Sequence, residues 1–101
     1  MSDAPPPRAN ILLVDDRPAN LVALEAVLAD LGENLVRAGS GEEALRRLTE
    51  RDFAVVLLDV LMPGLSGFET AQRVRASDRL RHTPIIFLTA ADAGEFPLAE
   101  A

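Results

Sequence analysis

The sequence predicts an α/β fold, a three-layer sandwich in which helices cover both faces of a doubly wound parallel sheet. Three observations point there. Runs rich in Val, Leu and Ile, at Asn10–Val14, Phe53–Asp59 and Ile85–Thr89, have the near-continuous apolar character of strands buried on both faces. The stretches between them carry apolar residues at helical spacing. The loops are short, so the order β-α-β-α-β-α-β implies parallel strands joined by right-handed crossovers.

Asn10-Ile-Leu-Leu-Val14 opens the order as the first strand and runs into the acid pair Asp15-Asp16. Pro18 suits the first turn of the following helix, where its missing N–H is not needed. Leu21, Leu24, Leu28 and Leu31, with Ala23 and Val27 beside them, form the apolar face of that helix, and Gly32 caps its end. Asn34–Ala38 is too short for a helix and reads as an edge strand. Ser40-Gly-Glu-Glu43 has the form of a capping box and starts a second helix through Ala44, Leu45 and Leu48. The third strand, Phe53–Asp59, ends on a single carboxylate, and the Met62-Pro63-Gly64 turn then forces the chain out of the sheet. Ser66-Gly-Phe-Glu69 repeats the capping box before a third helix with Phe68, Ala71 and Val74 on its apolar face. A polar stretch, Asp78–Thr83, leads through Pro84 to the fourth strand, which ends on the hydroxyl of Thr89. Beyond it Pro97 permits about one further turn of helix.

Composition bounds the function. A chain of 101 residues is one domain at most and buries roughly 65% of its unfolded surface. Its 49% hydrophobic content excludes a disordered chain, and no apolar run approaches the roughly 20 residues that span a bilayer. The polar, Pro-rich residues 1–9 read as a disordered leader, and no signal sequence opens the chain. A cytoplasmic location is expected, in keeping with the absence of Cys. The net charge of -6 argues against a nucleic-acid or anionic-membrane partner. All ten basic residues are Arg, and there is no Lys.

If the first, third and fourth strands are neighbours, Asp15, Asp16, Asp59 and Thr89 meet on one rim. In open α/β sheets the crevice beyond the carboxyl ends of the strands is where ligands bind. Three crowded carboxylates repel one another unless a cation neutralises them, and an oxygen-only ligand set with open positions suits Mg²⁺. An Asp carboxylate beside such a metal can attack a phosphoryl group in line to give an acyl phosphate. Thr89 is placed to hydrogen-bond the new phosphoryl oxygens.

These marks resemble the receiver domain of two-component response regulators. The resemblance rests on Ile11-Leu-Leu-Val-Asp15-Asp16, Leu57-Leu-Asp59-Val-Leu-Met-Pro63-Gly64, Gly67 and Pro84-Ile-Ile-Phe-Leu-Thr89-Ala90, and covers Asn10 to about Ala101. The run Asp-Asp-Arg-Pro-Ala-Asn after the first strand is similar to receivers of hybrid histidine kinases. The resemblance implies a doubly wound flavodoxin-like fold with Asp59 as phosphoacceptor. It further implies Mg²⁺ held by Asp15, Asp16, Asp59 and the Leu61 backbone carbonyl, and Thr89 as switch hydroxyl beside a small Ala90. A histidine kinase or phosphotransfer domain is the implied partner, and the module is a signalling switch rather than a turnover enzyme.

Receivers also have a fifth strand with a phosphoryl-pairing Lys, and a fifth helix. Without Lys or Tyr the sequence reads as a receiver cut short within its fourth helix. Arg17, next to the acid pair, is a candidate source of positive charge, although Arg and Lys are not interchangeable. Uncovering several hundred Å² of apolar surface costs on the order of 5–10 kcal/mol at about 25 cal/mol per Å², comparable with a small domain's whole stability. A homodimer through the fourth-strand edge or the uncovered sheet face is therefore expected.

Two further readings stand beside this one: a degenerate receiver acting only as an interaction module, and a Mg²⁺-dependent phosphohydrolase. The latter lacks a second acid two residues after the strand-end nucleophile and a cap domain. His82 reads as an ordinary surface residue. Gly39-Ser-Gly-Glu-Glu-Ala44 matches a dinucleotide-loop pattern, but it follows the second strand, and Glu42 and Glu43 would repel a pyrophosphate.

Overall fold

Side chains alternate across a strand, so each strand of a buried sheet feeds two cores at once. The computed structural model, which describes residues 8–88, shows this in β1 (Asn10–Val14). Leu12 and Val14 enter one core with Val56 and Leu58, whereas Ile11 and Leu13 enter the other with Val55 and Leu57. The remaining elements are α1 (Pro18–Leu28), a 3-10 turn (Ala29–Leu31), β2 (Asn34–Ala38), α2 (Gly41–Glu50), β3 (Val55–Asp59), α3 (Gly67–Ala76) and β4 (Ile85–Leu88). The sheet has the order β2-β1-β3-β4 and every pair is parallel. The larger core takes Ala44 and Leu48 from α2 and Ala71 and Val74 from α3; the smaller takes Leu21, Leu24 and Leu28 from α1. Helices thus lie on both faces, as expected, and β2 is an edge.

The register, with Val14 opposite Leu58 and Asp59 opposite Leu88, aligns the carboxyl ends of β1, β3 and β4. At the other end Ala9 is tied to the start of β2, donating to Glu33 Oε1 at 2.8 Å and accepting from Asn34 N–H at 2.9 Å. Residues 1–7 of the expected leader lie outside the described residues, as do Thr89, Ala90 and the expected turn near Pro97.

Several elements differ from their sequence reading. β3 begins at Val55 rather than Phe53, because the ladder with β1 starts at the pair Ile11 and Val55. Phe53 is buried in the larger core from outside the strand. The first helix ends at Leu28 and passes into the 3-10 turn closed by Gly32, whose φ is 70°. A 3-10 turn advances about 120° per residue instead of 100°, which swings Leu31 off the apolar stripe. Leu31 and Val27 are 58% and 77% exposed, not core residues as the spacing predicts.

Phe68 is also largely exposed, resting its ring on Phe87 with centroids 5.0 Å apart. Thr70 takes the inner position on α3, its hydroxyl donating to the Ser66 carbonyl at 2.8 Å. β4 is half-buried rather than buried on both faces: Ile86 is 53% exposed. It lies on the α1 side of the edge strand, where among the described residues no helix packs against it.

Both helix starts use the expected serines, but only α3 completes the box. There Ser66 Oγ accepts from Glu69 N–H at 3.2 Å and Glu69 Oε1 accepts from Ser66 N–H at 3.0 Å. In α2 Ser40 Oγ accepts from Glu43 N–H, yet the Glu43 carboxylate reaches past it to Gly39 N–H at 2.7 Å and to Arg47 at 3.1 Å.

Candidate functional site

Asp15 directly follows β1 and Asp59 ends β3; because these strands are neighbours, their carboxylates converge, and Asp16 joins them. One oxygen from each of the three lies within 4.8 Å of the others. Asp15 and Asp59 are only 5% and 6% exposed, and Asp16 is half-buried.

Asp15 is the anchored member. Its Oδ1 accepts from Arg17 N–H at 2.9 Å and its Oδ2 from Asn20 Nδ2 at 3.0 Å, while its own N–H donates to the Ala38 carbonyl at 3.1 Å. Asn20 closes the Asp-Asp-Arg-Pro-Ala-Asn run, but the sequence reading gives it no role; its position in the first turn of α1, five residues after Asp15, is the signal that places it there. Asp59 receives one weaker bond, from Leu61 N–H to Oδ1 at 3.3 Å. Burial pushes the Asp59 carboxyl above its ordinary range, helped by the charge of Asp15 and opposed by the Leu61 N–H; Asp16 raises it further and Arg17 lowers it. A desolvated carboxylate in a like-charged cluster is stabilised by a cation. The donor set is all oxygen, the chemistry of a hard cation such as Mg²⁺.

The backbone of Asp59 is fixed by close packing. Gly67, first residue of α3, lies so near that a Cβ there would stand 2.2 Å from the Asp59 carbonyl oxygen and 2.8 Å from Val60 Cα. Its N–H donates to the Val60 carbonyl at 3.0 Å, and Val60 N–H donates to the Leu88 carbonyl at 3.0 Å. The helix start, the strand end and β4 are thereby locked together. Gly64 supplies the turn between them with a φ of 72°, a conformation open to Gly at little cost. Next to the acids is a hollow of about 360 Å³ lined by Asp16, Arg17, Leu61, Met62, Pro63 and Ser66, with Val60 at its base.

Asp15, Asp16 and Asp59 are therefore brought together, and Leu61 lies at the rim. Thr89 and Ala90 lie outside the described residues, although Leu88, paired with Asp59, brings β4 to the same rim. His82 is exposed and joins no cluster of metal-binding type among the described residues. In the Gly39–Ala44 loop the Gly39 N–H is occupied by the chain's own Glu43 carboxylate, which leaves a pyrophosphate no place there.

Residues 11–99 match the model of the response regulator receiver domain. The chain belongs to this receiver family. The receiver is 42% identical over 81 residues to the transcriptional regulatory protein AfsQ1 of Streptomyces coelicolor, covering 80% of this chain and 35% of that protein. It is 46% identical over 68 residues to the virulence sensor protein BvgS of Bordetella pertussis, covering 67% of this chain and 6% of that protein. The chain thus spans a minor part of these curated relatives. Among solved structures it resembles the response regulator protein TrrA from Thermotoga maritima in complex with Mg(2+)-BeF, with a TM-score of 0.76 and 37% identity. That match covers 83% of this chain and 71% of the other. The receiver is a signalling domain of two-component systems, related to those of hybrid kinases. No helix among the described residues is long and apolar enough to cross a membrane.

Proposed function

We propose that this receiver accepts a phosphoryl group on Asp59 from a histidine kinase or phosphotransfer domain, in the cytoplasm and with Mg²⁺. The observation that carries the reading is the convergence of three carboxylate oxygens within 4.8 Å at the ends of adjacent strands. The oxygen-rich cluster fits the metal: Asp15, Asp16, Asp59 and the Leu61 carbonyl would hold it. Bound there, Mg²⁺ offsets the negative charge of the carboxylates and of the phosphoryl oxygens. That TrrA is described with Mg(2+)-BeF supports the same metal here.

The chain's own residues divide the work. Asp59, held by the Leu61 N–H and by α3 packed on its backbone, offers a carboxylate oxygen as nucleophile within the acid cluster, whose third member, Asp16, lines the hollow. An Asp59 oxygen forms a bond to phosphorus, the bond from phosphorus to the donor breaks, and the donor leaves with that electron pair. Asp15, fixed by Asn20 and Arg17 N–H, keeps its orientation through the change. Thr89, directly after β4, would donate its hydroxyl to the phosphoryl group, so the modified site biases the segment after β4. Such a module is a switch rather than a turnover enzyme.

Intact-mass measurement after incubation with Mg²⁺ and acetyl phosphate tests the reading. One phosphoryl adduct is expected, lost in Asp59→Asn and in chelator; a folded protein with no adduct refutes it and leaves an interaction module. We also propose that two copies associate through the β4 edge or the sheet face beside it, on the strength of Ile86, exposed on that face, and the tendency of strand edges to pair. A monodisperse monomer by light scattering refutes that.

A further inference from the structure

The hollow beside the acids has one positively charged residue among the described residues that line it, Arg17. Its backbone is pinned. The N–H donates to Asp15 Oδ1 at 2.9 Å, and the carbonyl accepts from Asn20 N–H at 3.0 Å and Leu21 N–H at 3.3 Å. Pro18 restricts the preceding residue to extended backbone, and Arg17 is extended, with φ -103° and ψ 114°. The guanidinium, by contrast, is uncommitted: Arg17 is exposed, and its side chain forms no ion pair or hydrogen bond among the described residues. Arg37, Arg47, Arg79 and Arg81 are each engaged with an acid, and Arg75 with the carbonyls of Arg81 and Thr83.

Leu61, Met62 and Pro63 form the apolar wall of the hollow. The chain as a whole carries a net charge of -6, which repels an anionic donor, so a cation on the hollow next to the acid cluster has a large relative effect.

We infer that the Arg17 guanidinium contacts the phosphoryl oxygens of the donor in the hollow and so sets how tightly an anionic phosphoryl donor is held before Asp59 attacks. The inference rests on Asp59 being the phosphoacceptor. In the step, Asp59 attacks the phosphorus of acetyl phosphate, the acetate leaves with the electrons of the broken P–O bond, and no proton moves. Arg17 donates N–H bonds to phosphoryl oxygens before and after. Its planar fork suits two such oxygens at once, in the manner of other guanidinium and phosphate pairs.

The test measures phosphorylation of the wild type, Arg17→Gln and Arg17→Lys by intact mass across acetyl phosphate concentrations at saturating Mg²⁺. Mg²⁺ affinity is measured separately by calorimetry, since the chain has no Trp or Tyr to report it by fluorescence. For Arg17→Gln the half-saturating acetyl phosphate concentration is expected to rise about three- to tenfold with little change in maximal rate. The loss should shrink as salt is raised, and Arg17→Lys should recover part of it. Mg²⁺ should bind Arg17→Gln as tightly as the wild type or tighter, because a cation has been removed from beside the acids. An unchanged half-saturation overturns the inference, and so does weakened Mg²⁺ binding, which would place Arg17 in the metal site's support instead. If the wild type takes no phosphoryl group while binding Mg²⁺, the phosphoacceptor reading fails and the inference falls with it. A phosphorylated wild type with an indistinguishable Arg17→Gln sinks the Arg17 role alone.

Discussion

Gly67→Ala sets two effects of opposite sign against each other. Gly67 is the first residue of α3, and Ala is favoured over Gly within a helix by about 1 kcal/mol, so propensity alone expects stabilisation. The structure expects the reverse. The new Cβ would stand 2.2 Å from the Asp59 carbonyl oxygen, 2.8 Å from Val60 Cα and 2.9 Å from the Asp59 carbonyl carbon. All three are backbone atoms at the end of a central strand, so no side chain can swing aside. Reaching ordinary contact, about 3.5 Å between carbons, requires α3 and the end of β3 to separate by roughly 1 Å. Overpacking of this kind costs about 1–3 kcal/mol, and weakening the bond from Gly67 N–H to the Val60 carbonyl adds about 1 kcal/mol. The net destabilisation is about 2 kcal/mol, a fall in melting temperature on the order of 10 °C for a domain of this size. Thermal unfolding followed by far-UV circular dichroism measures it. Gly39→Ala is the control, since there the nearest atom to a new Cβ is Glu43 Oε1 at 3.6 Å, an ordinary contact. A Gly67→Ala protein melting at or above the wild-type temperature would refute the steric reasoning. Because Asp59 moves with its carbonyl, phosphorylation by acetyl phosphate should slow as well.

Asp59→Asn should melt above the wild type at neutral pH. The folded Asp59 carboxyl is raised above its ordinary 3.8, so its stabilising contribution is complete below that value and lost as pH rises through the folded pKa. The advantage of Asn must therefore close as pH falls toward 3.8; an advantage that grows on acidification contradicts the cause assigned to the shift. Mg²⁺ should raise the wild-type melting temperature by an amount equivalent to about 2.7 kcal/mol at a hundredfold excess over its Kd. Chelator should abolish the increase and Asp16→Asn should reduce it, and identical melting curves with and without Mg²⁺ would count against the metal site. Ser66→Ala removes the acceptor for Glu69 N–H and should cost about 1 kcal/mol by urea denaturation, with no loss at all arguing that the cap is replaced by water.

The strands and the acid rim were legible because their signals are local. A Val- and Leu-rich run marks a buried strand whatever packs on it, and three such strands ending at Val14, Asp59 and Leu88 fall into one register. Val27 and Leu31 were misread because apolar character reports that a side chain gains from burial, not whether a neighbour is there to bury it. Phe53 is buried in the larger core although it lies outside the ladder, whereas Val27 and Leu31 are exposed. Glu43 shows the same limit for polar groups, since Ser40-x-x-Glu43 specifies the serine's bond while the carboxylate chose Gly39 and Arg47.

By itself the sequence determined the α/β class, the order of elements, the helix starts at Ser40 and Ser66, and the identity of the three acids, because periodicity, caps and strand ends are set by residues close together in the chain. Only the tertiary structure decided that β1 lies between β2 and β3, which brings carboxylates 44 residues apart in the chain, those of Asp15 and Asp59, within reach of one another. It also decided that Asn20 holds Asp15, that Arg17 lines the hollow without a side-chain partner among the described residues, and that Gly67 must lack a side chain. The meeting of Asp15 with Asp59 depends on parallel pairing of strands remote in sequence, and the others depend on the exact path of the backbone over a few residues, which side-chain pattern does not report.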